Sequence, residues 1–399
     1  MKRSTDRILT SHTGSLHRSE DFEAAATRHF GPSGDDNTQW DALLSSEVES
    51  VVGKQRELGV DVVNDGEYSK SNWLYYVADR LAGFGDASVQ PPSLSGGLGG
   101  ATDIANFPTF YRDAAELDGV SIWRRHSESF FPDPEAPLKI QACIGPVTYK
   151  GKESLARDIA NLKAGLAAVG AEPSDGFIGV AAPGTFGLLH VDEHYGDREA
   201  YFFALADAIG EECRAIAAAG LNVQIDDPML PSIHDMLELD RQQTRELGEL
   251  VVAATNRALE GVPEEQVRHH ICWGSWNSPH ASDIELEDVI HLVYQVKAQT
   301  YSVEAANVRH DHEWRVFEKS KLPAGKILMP GVVSHATNVI EHPRGVADRI
   351  VRFAGVVGRE NVIAGSDCGF RARSHPEVAW AKLRSLSEGA ALATKDLWP

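Results

Sequence analysis

The chain has 399 residues, 42% hydrophobic and 24% charged, a composition that can bury a sizeable core and holds no low-complexity tract. Its 58 acidic against 38 basic side chains give a formal charge of -20, and no lysine or arginine run tracks a phosphate backbone, so nucleic acid is excluded as an expected partner. The N-terminal MKRSTDRILTSHTGSLHR lacks the apolar segment of a signal peptide and no membrane-spanning apolar run follows it, so a cytoplasmic protein without membrane association is expected.

Nine short apolar runs read as strands: RILTSHTG (7–14), VDVVNDG (60–66), LKIQACIG (138–145), FIGVAAPG (177–184), LNVQIDDP (221–228), RHHICWG (268–274), TYSVEAA (300–306), KILMPGVV (326–333) and NVIAGSD (361–367). Amphipathic helical patterns separate most of them, among them LLSSEVESVVGKQRELG, SLARDIANLKAGLAAVG, AYFFALADAIGEECRAIAAAG and PRGVADRIVRFAGVVG, each ending in a glycine suited to a C-cap. Sustained βα alternation without a linker predicts an α/β fold, a single (β/α)8 TIM barrel, over an open doubly wound sheet. Nine candidates exceed eight, so 177–184 or one of its neighbours is expected to lie outside the barrel. Residues 81–137, with QPPSLSGGLGG and RRHSESFFPDPEAP, are too long and irregular for a βα loop and read as an insertion in one domain spanning 1–399. Neither the glycines there nor GPVTYKGKES (145–154) meets the P-loop pattern.

Four scattered cysteines exclude a disulfide framework. Cys143 and Cys213 read as core thiols. On a strand, His270 and Cys272 project from the same face, which permits shared metal ligation, although two core residues would read the same way. Glu304 and Cys368 fall at the C-terminal ends of later strands, where barrel active sites form. Glu304 bonded to a neighbouring arginine and Cys368 as a core thiol are the plain alternatives; taken jointly, the four read as a His-Cys-Glu-Cys site. Sulfur, nitrogen and one carboxylate suit zinc, and a substrate thiol held there would be activated as a nucleophile towards an alkyl carbon. In NVRHDHEW (307–314), His310, Asp311, His312 and Glu313 have no enforced facing and are expected to form a solvated or substrate-gating loop without metal.

The motifs SHTGSLHR, VNDGEYSKSNW, GPVTY, QIDDPML, HICWGSWN, VEAAN and AGSDCGF, in this order, resemble the catalytic barrel of the cobalamin-independent methionine synthase family. The resemblance implies zinc on His270, Cys272, Glu304 and Cys368, contact of Ser15 with the homocysteine backbone, and Glu67 and Asp226 on its ammonium. It implies His335 as the proton donor, with local spacing one residue short. The implied activity is methyl transfer to homocysteine giving methionine, with a small-molecule thiol and an alkyl donor as partners. Two departures bear on the donor: YKGKES follows GPVT where the family has a tryptophan under the pterin, and Asp227 stands for the glutamate of the I-D-E-P motif. Single-barrel relatives use other donors, a methyl-corrinoid protein or an epoxide. Two other classes remain open, a non-catalytic zinc-stabilised barrel that binds a corrinoid protein and a metal-free barrel of the uroporphyrinogen decarboxylase type.

Overall fold

A computed structural model describes residues 1–31, 37–73, 75–88, 101–116, 141–237, 239–274, 279–371 and 374–399. Among them the strands in chain order are β1 (Leu9–Thr10), β2 (Val63–Asn64), β3 (Leu81–Asp86), β4 (Gln141–Tyr149), β5 (Gly176–Ala181), β6 (Val191–Asp192), β7 (Asn222–Asp226), β8 (Val267–His270), β9 (Thr300–Val303), β10 (Ile327–Val333) and β11 (Ile363–Ser366). Eight of them form one parallel sheet in the order β1-β11-β10-β9-β8-β7-β5-β2. Its two ends meet through a parallel bridge between Ser11 and Val62, so the sheet closes into the predicted (β/α)8 barrel.

Nine runs compete for eight places, and burial resolves the excess. Every residue of β5 is buried, as a strand covered on both faces requires, and β5 pairs with β2 and β7. The suspicion against 177–184 is thereby corrected. Its neighbour 138–145 is the run outside the barrel: it is described from Gln141 as β4, alternates towards solvent, and belongs to a three-stranded sheet with β3 and β6. Apolar content alone hid this difference, because LKIQACIG and FIGVAAPG are both short runs of mostly apolar and small residues ending in glycine.

Strand β3 pairs antiparallel with β4, so the chain between them leaves and returns through one hairpin. Within that excursion lie helices Ala101–Asn106 and Pro108–Glu116, and the first is tied to the segments after the barrel strands, where Thr102 N donates to Asp235 Oδ1 at 3.0 Å and Ala281 N to Asp103 Oδ2 at 3.2 Å. The rest of the expected insertion, 89–100 and 117–137, lies outside the described residues.

The four helical patterns appear as Asn37–Glu57, Lys152–Ala168, Arg198–Ala218 and Pro343–Val357. The last shows why a glycine follows: Gly358 takes φ 90°, and its N–H closes the helix on Ala354 O at 2.9 Å. Most of the core lies between strands and helices, with Cys143 and Cys213 inside it as expected. A smaller cluster of Leu9, Ile327, Met329 and Ile363, with Met1 against it, fills the early residues of β1, β10 and β11. No helix among the described residues is long and apolar enough to cross a membrane.

Arg80, at the start of the excursion, is buried between two barrel helices. It pairs with Asp158 of one and, at 2.5 Å, with Glu212 of the other. Substituting Arg80→Met strands two buried carboxylates and should cost about 3–5 kcal/mol. Urea unfolding monitored by circular dichroism measures the loss, and a change below about 1 kcal/mol would contradict the role given to this ion pair.

Candidate metal centre and ligand pocket

Register places the site. In the parallel ladder Asp226 of β7 stands beside His270 of β8, which stands beside Ser302 of β9, at the C-terminal end of all three strands. His270 Nδ1 lies 3.1 Å from Ser302 Oγ, which leaves Nε2, a buried atom without a hydrogen-bond partner. Cys272 follows two residues on, and the loop after β11 brings in Cys368. The candidate ligand atoms of His270, Cys272 and Cys368 lie within 4.8 Å of one another. Two sulfurs and an unpartnered imidazole nitrogen fit a borderline-soft dication, and thiolates disfavour magnesium or calcium. Cys368 is held well below the usual thiol range, first by a hydrogen bond from Cys272, against the opposing effect of burial, and then by the His270 and His335 rings.

Glu304, the fourth expected donor, is outside that trio. Its carboxylate accepts from Trp273 N at 3.0 Å and from Asn307 Nδ2 at 2.7 Å, so backbone and amide donors hold it where an arginine was the plain alternative. Burial first, then the charges of Asp367 and Cys368 among its neighbours, push its pKa well above the usual range. Asp367, adjacent to Cys368, grips the same turn by accepting from the N–H groups of Ala305, Ala306 and Asn307 at 2.8, 2.8 and 2.9 Å. A Cβ on Gly331 of β10 would come within 2.0 Å of Asp367 Oδ1, so this bracket requires glycine there.

Behind Glu304 lies the 307–314 segment, and here the expectation of a solvated or gating loop is corrected for two residues. His310 and Glu313 are buried. His310 bridges Glu313 at 3.0 Å and Asp283 at 3.2 Å, and its ring lies 4.2 Å from that of Trp273. Glu313 in turn accepts from Leu286 N, the first residue of helix Leu286–Val293. Glu285, His312 and Glu313 also bring ligand-type atoms within 4.8 Å, but Glu313 is committed to His310 and Leu286.

Ser15, Glu67 and Asp226 converge on one pocket next to Cys368. Gly369 approaches so closely that a Cβ there would meet Ser15 Oγ at 2.5 Å, and the N–H of Phe370 donates to Ser15 O at 2.8 Å. Glu67 is buried in the turn after β2 with φ 60°, a left-handed conformation that a non-glycine residue adopts at a cost. A Cβ on Gly179 of β5 would lie 2.9 Å from Asp226 Oδ2 and 3.5 Å from Glu67 Oε1, so the missing side chain makes room for two carboxylates to meet. Burial raises Glu67 to about 7, with the charges of Asp65 and Cys368 adding to it, and raises Asp226 well above its usual range, with the charge of Glu67 adding to it. Lys70, buried with Nζ 2.5 Å from Gly179 O, offsets this only in part. Burial is thus the first cause of both shifts. His335, two residues beyond β10, is buried close enough to Cys368 to lower its thiol.

All eight sequence-predicted residues thus gather at the C-terminal mouth, six of them around Cys368 and the last, Glu304, held by its own bracket. Sequence reading missed Ser302, Trp273, Asn307 and Asp367, which orient the donors, and Gln224 and Arg268 beneath Asp226. Adjacency to Cys368 was the one signal for Asp367; for Ser302 none exists without the ladder register. Part of HICWGSWN, residues 275–277, lies outside the described residues.

Comparison with known proteins follows this geometry. The family model described as the catalytic domain of cobalamin-independent synthase matches residues 190–391, a stretch holding His270, Cys272, Glu304, Cys368, Asp226 and His335 but neither Ser15 nor Glu67. The 2-hydroxypropyl-CoM lyase of Xanthobacter autotrophicus is 23% identical over 392 residues, 90% of this chain and 88% of that relative. A methionine synthase of Saccharolobus solfataricus is 26% identical over 368 residues, 90% and 87%. A 5-methyltetrahydropteroyltriglutamate-homocysteine methyltransferase of Thermotoga petrophila is 22% identical over 358 residues, and there the match takes up 85% of this chain but 38% of the relative's length. Among solved structures, a B12-independent methionine synthase from a Shewanella species shares the fold with a TM-score of 0.70 at 19% identity, covering 98% of this chain and 99% of that one.

The buried His310 generates a pH prediction. Burial depresses its pKa, but the hydrogen bonds to Asp283 and Glu313 and the charge of Glu304 outweigh burial and lift it to about 10. An unfolded histidine titrates near 6.5, so folding retains a proton across the interval between them. The stabilisation is therefore complete below pH 6.5 and is lost as pH rises towards about 10, on the order of a few kcal/mol. Thermal melts from pH 6 to 10 should fall less steeply for His310→Gln than for wild type, and parallel curves would refute the assignment.

Proposed function

This chain belongs to the family of the catalytic domain of cobalamin-independent synthases, and from that premise we propose that it is a zinc-dependent thiol S-methyltransferase converting homocysteine to methionine. We read residues 1–399 as one catalytic barrel carrying the 81–137 insertion. The observation that carries the proposal is the convergence of the ligand atoms of His270, Cys272 and Cys368 within 4.8 Å, beside two buried carboxylates, Glu67 and Asp226, with raised pKa values.

His270, Cys272, Glu304 and Cys368 would hold the zinc. When bound, zinc supplies the Lewis acidity that brings an acceptor thiol's pKa towards neutrality. Glu67 and Asp226 take the ammonium of the acceptor, which supplies the cation their raised pKa values call for, and Ser15 contacts its backbone. A sulfur–carbon bond forms as the donor's bond to its leaving group breaks, and His335 delivers the proton that the leaving group takes up. Burial of His270, Cys272, Glu304 and His335 keeps water from competing for the donor carbon.

A second reading keeps the thiol and changes the donor to an epoxide. It is supported by the likeness to 2-hydroxypropyl-CoM lyase over 90% of this chain, and by Tyr149 at the end of GPVTY where a stacking tryptophan is absent.

Thiol consumption is to be followed with homocysteine and, in turn, methyltetrahydrofolate, methylcobalamin and a small epoxide. Turnover with the epoxide alone selects the second reading, and no turnover with any donor rejects both. Cys368→Ser should lose the zinc and lower turnover by more than about 100-fold, since removing a ligand exceeds the effect of disturbing its outer shell. Full activity in zinc-free protein would sink the proposal. Chelation should leave a folded, inactive barrel, because the donors lie at the ends of strands already closed by the core; unfolding on chelation would instead mark the metal as structural.

A further inference from the structure

Beneath Asp226 the barrel lumen holds a three-residue chain of hydrogen bonds that none of the chemistry above uses. Arg268 is fully buried with its guanidinium 3.5 Å over the Phe177 ring, donating to Ser11 Oγ at 2.8 Å and to His12 O at 2.5 Å. Its Nε donates to Gln224 Oε1 at 2.5 Å. A guanidinium has only donors, so the end of the Gln224 amide facing it must be the oxygen, and the nitrogen must face the other way. That nitrogen, Nε2, donates to Asp226 Oδ1 at 2.7 Å and to Thr13 O at 2.5 Å. Gln224 and Asp226 stand two residues apart on β7, so they share its inward face, and Asp226 is the one residue of that strand with part of its surface open. Oδ1 is thus engaged by the protein, while Oδ2 lies over Gly179 near Glu67.

We propose that Gln224 is a positioning and specificity-determining residue: by engaging Oδ1 it aims Oδ2 of Asp226 at the acceptor's ammonium, and Arg268 sets which way the amide points. The assignment rests on the reading of the acceptor as an amino-acid thiol. Its consequence is that preference for an amine-bearing thiol over the same thiol without the amine depends on a residue that does not reach the substrate.

The test uses the full chain loaded with zinc and titrates homocysteine and 4-mercaptobutyrate, which lacks only the amine, by calorimetry, with zinc stoichiometry measured alongside. Gln224→Met keeps the length of the side chain and removes the amide's bonds to Arg268, Asp226 and Thr13. The homocysteine-to-4-mercaptobutyrate affinity ratio should fall about 10-fold, the effect of one misaligned charge-assisted hydrogen bond, with zinc still bound. Gln224→Glu keeps an acceptor for Arg268 but offers Asp226 no donor; it should lower the ratio likewise and serves if the methionine variant does not fold. A folded variant that keeps the wild-type ratio, or that weakens both thiols equally, overturns the assignment. Wild type that shows no preference for homocysteine rejects the acceptor reading itself, and the role of Gln224 with it.

Discussion

Arg268 carries a guanidinium into the middle of the barrel lumen, and much of the site's geometry follows from satisfying it. A charge removed from water is costly unless its donors find acceptors, and this one draws them from two different strand segments, Ser11 and His12 after β1 and Gln224 on β7. Burial lowers its pKa to about 9, still leaving it charged at neutral pH, with Asp226 working in the opposite direction. In the ladder Arg268 stands beside Thr300 of β9, two residues before His270 at the strand end, so the buried cation lies directly under the site.

At the mouth two environments share one loop, that after β11. On one side Cys368 meets Cys272 and His270, a sulfur-and-nitrogen corner; on the other it lies within electrostatic reach of Glu67 and Asp226. Neither side is balanced within the protein alone. The first leaves a buried imidazole nitrogen without a partner, and the second leaves carboxylates with raised pKa values. A dication would answer one deficit and an ammonium the other, and on this the proposed function rests. The bracket of Asp367, Asn307 and Trp273 around Glu304, backed by His310, shows how the surrounding loops hold the remaining carboxylate through backbone and amide donors.

Legibility followed the range of the interaction. His270 and Cys272 could be paired from spacing, because strand geometry turns every second residue the same way. Cys368 and Glu304 could be added because barrel sites form at strand ends. Glu304's separation from the sulfur–nitrogen trio could not be read, since it depends on Trp273 N and Asn307 Nδ2 reaching it across a turn. Nor could the burial of His310 and Glu313, for a run of charged residues looks solvated until a neighbouring loop supplies Asp283 and Leu286 N as partners.

By itself the sequence determined the alternation of strands and helices, the closed parallel barrel, and which residue types could meet at its mouth, because these depend on local periodicity and on the rules of βα connection. Tertiary structure decided which apolar run was excluded from the barrel, since 138–145 and 177–184 differ only in what covers them. It also decided the orientation of each group in the site: Ser302 beside His270, Gly179 beneath two carboxylates, and Gln224 turned by Arg268 towards Asp226. Those relations join residues from different strands, and register between strands is set by the packing of the whole barrel rather than by any segment of the chain.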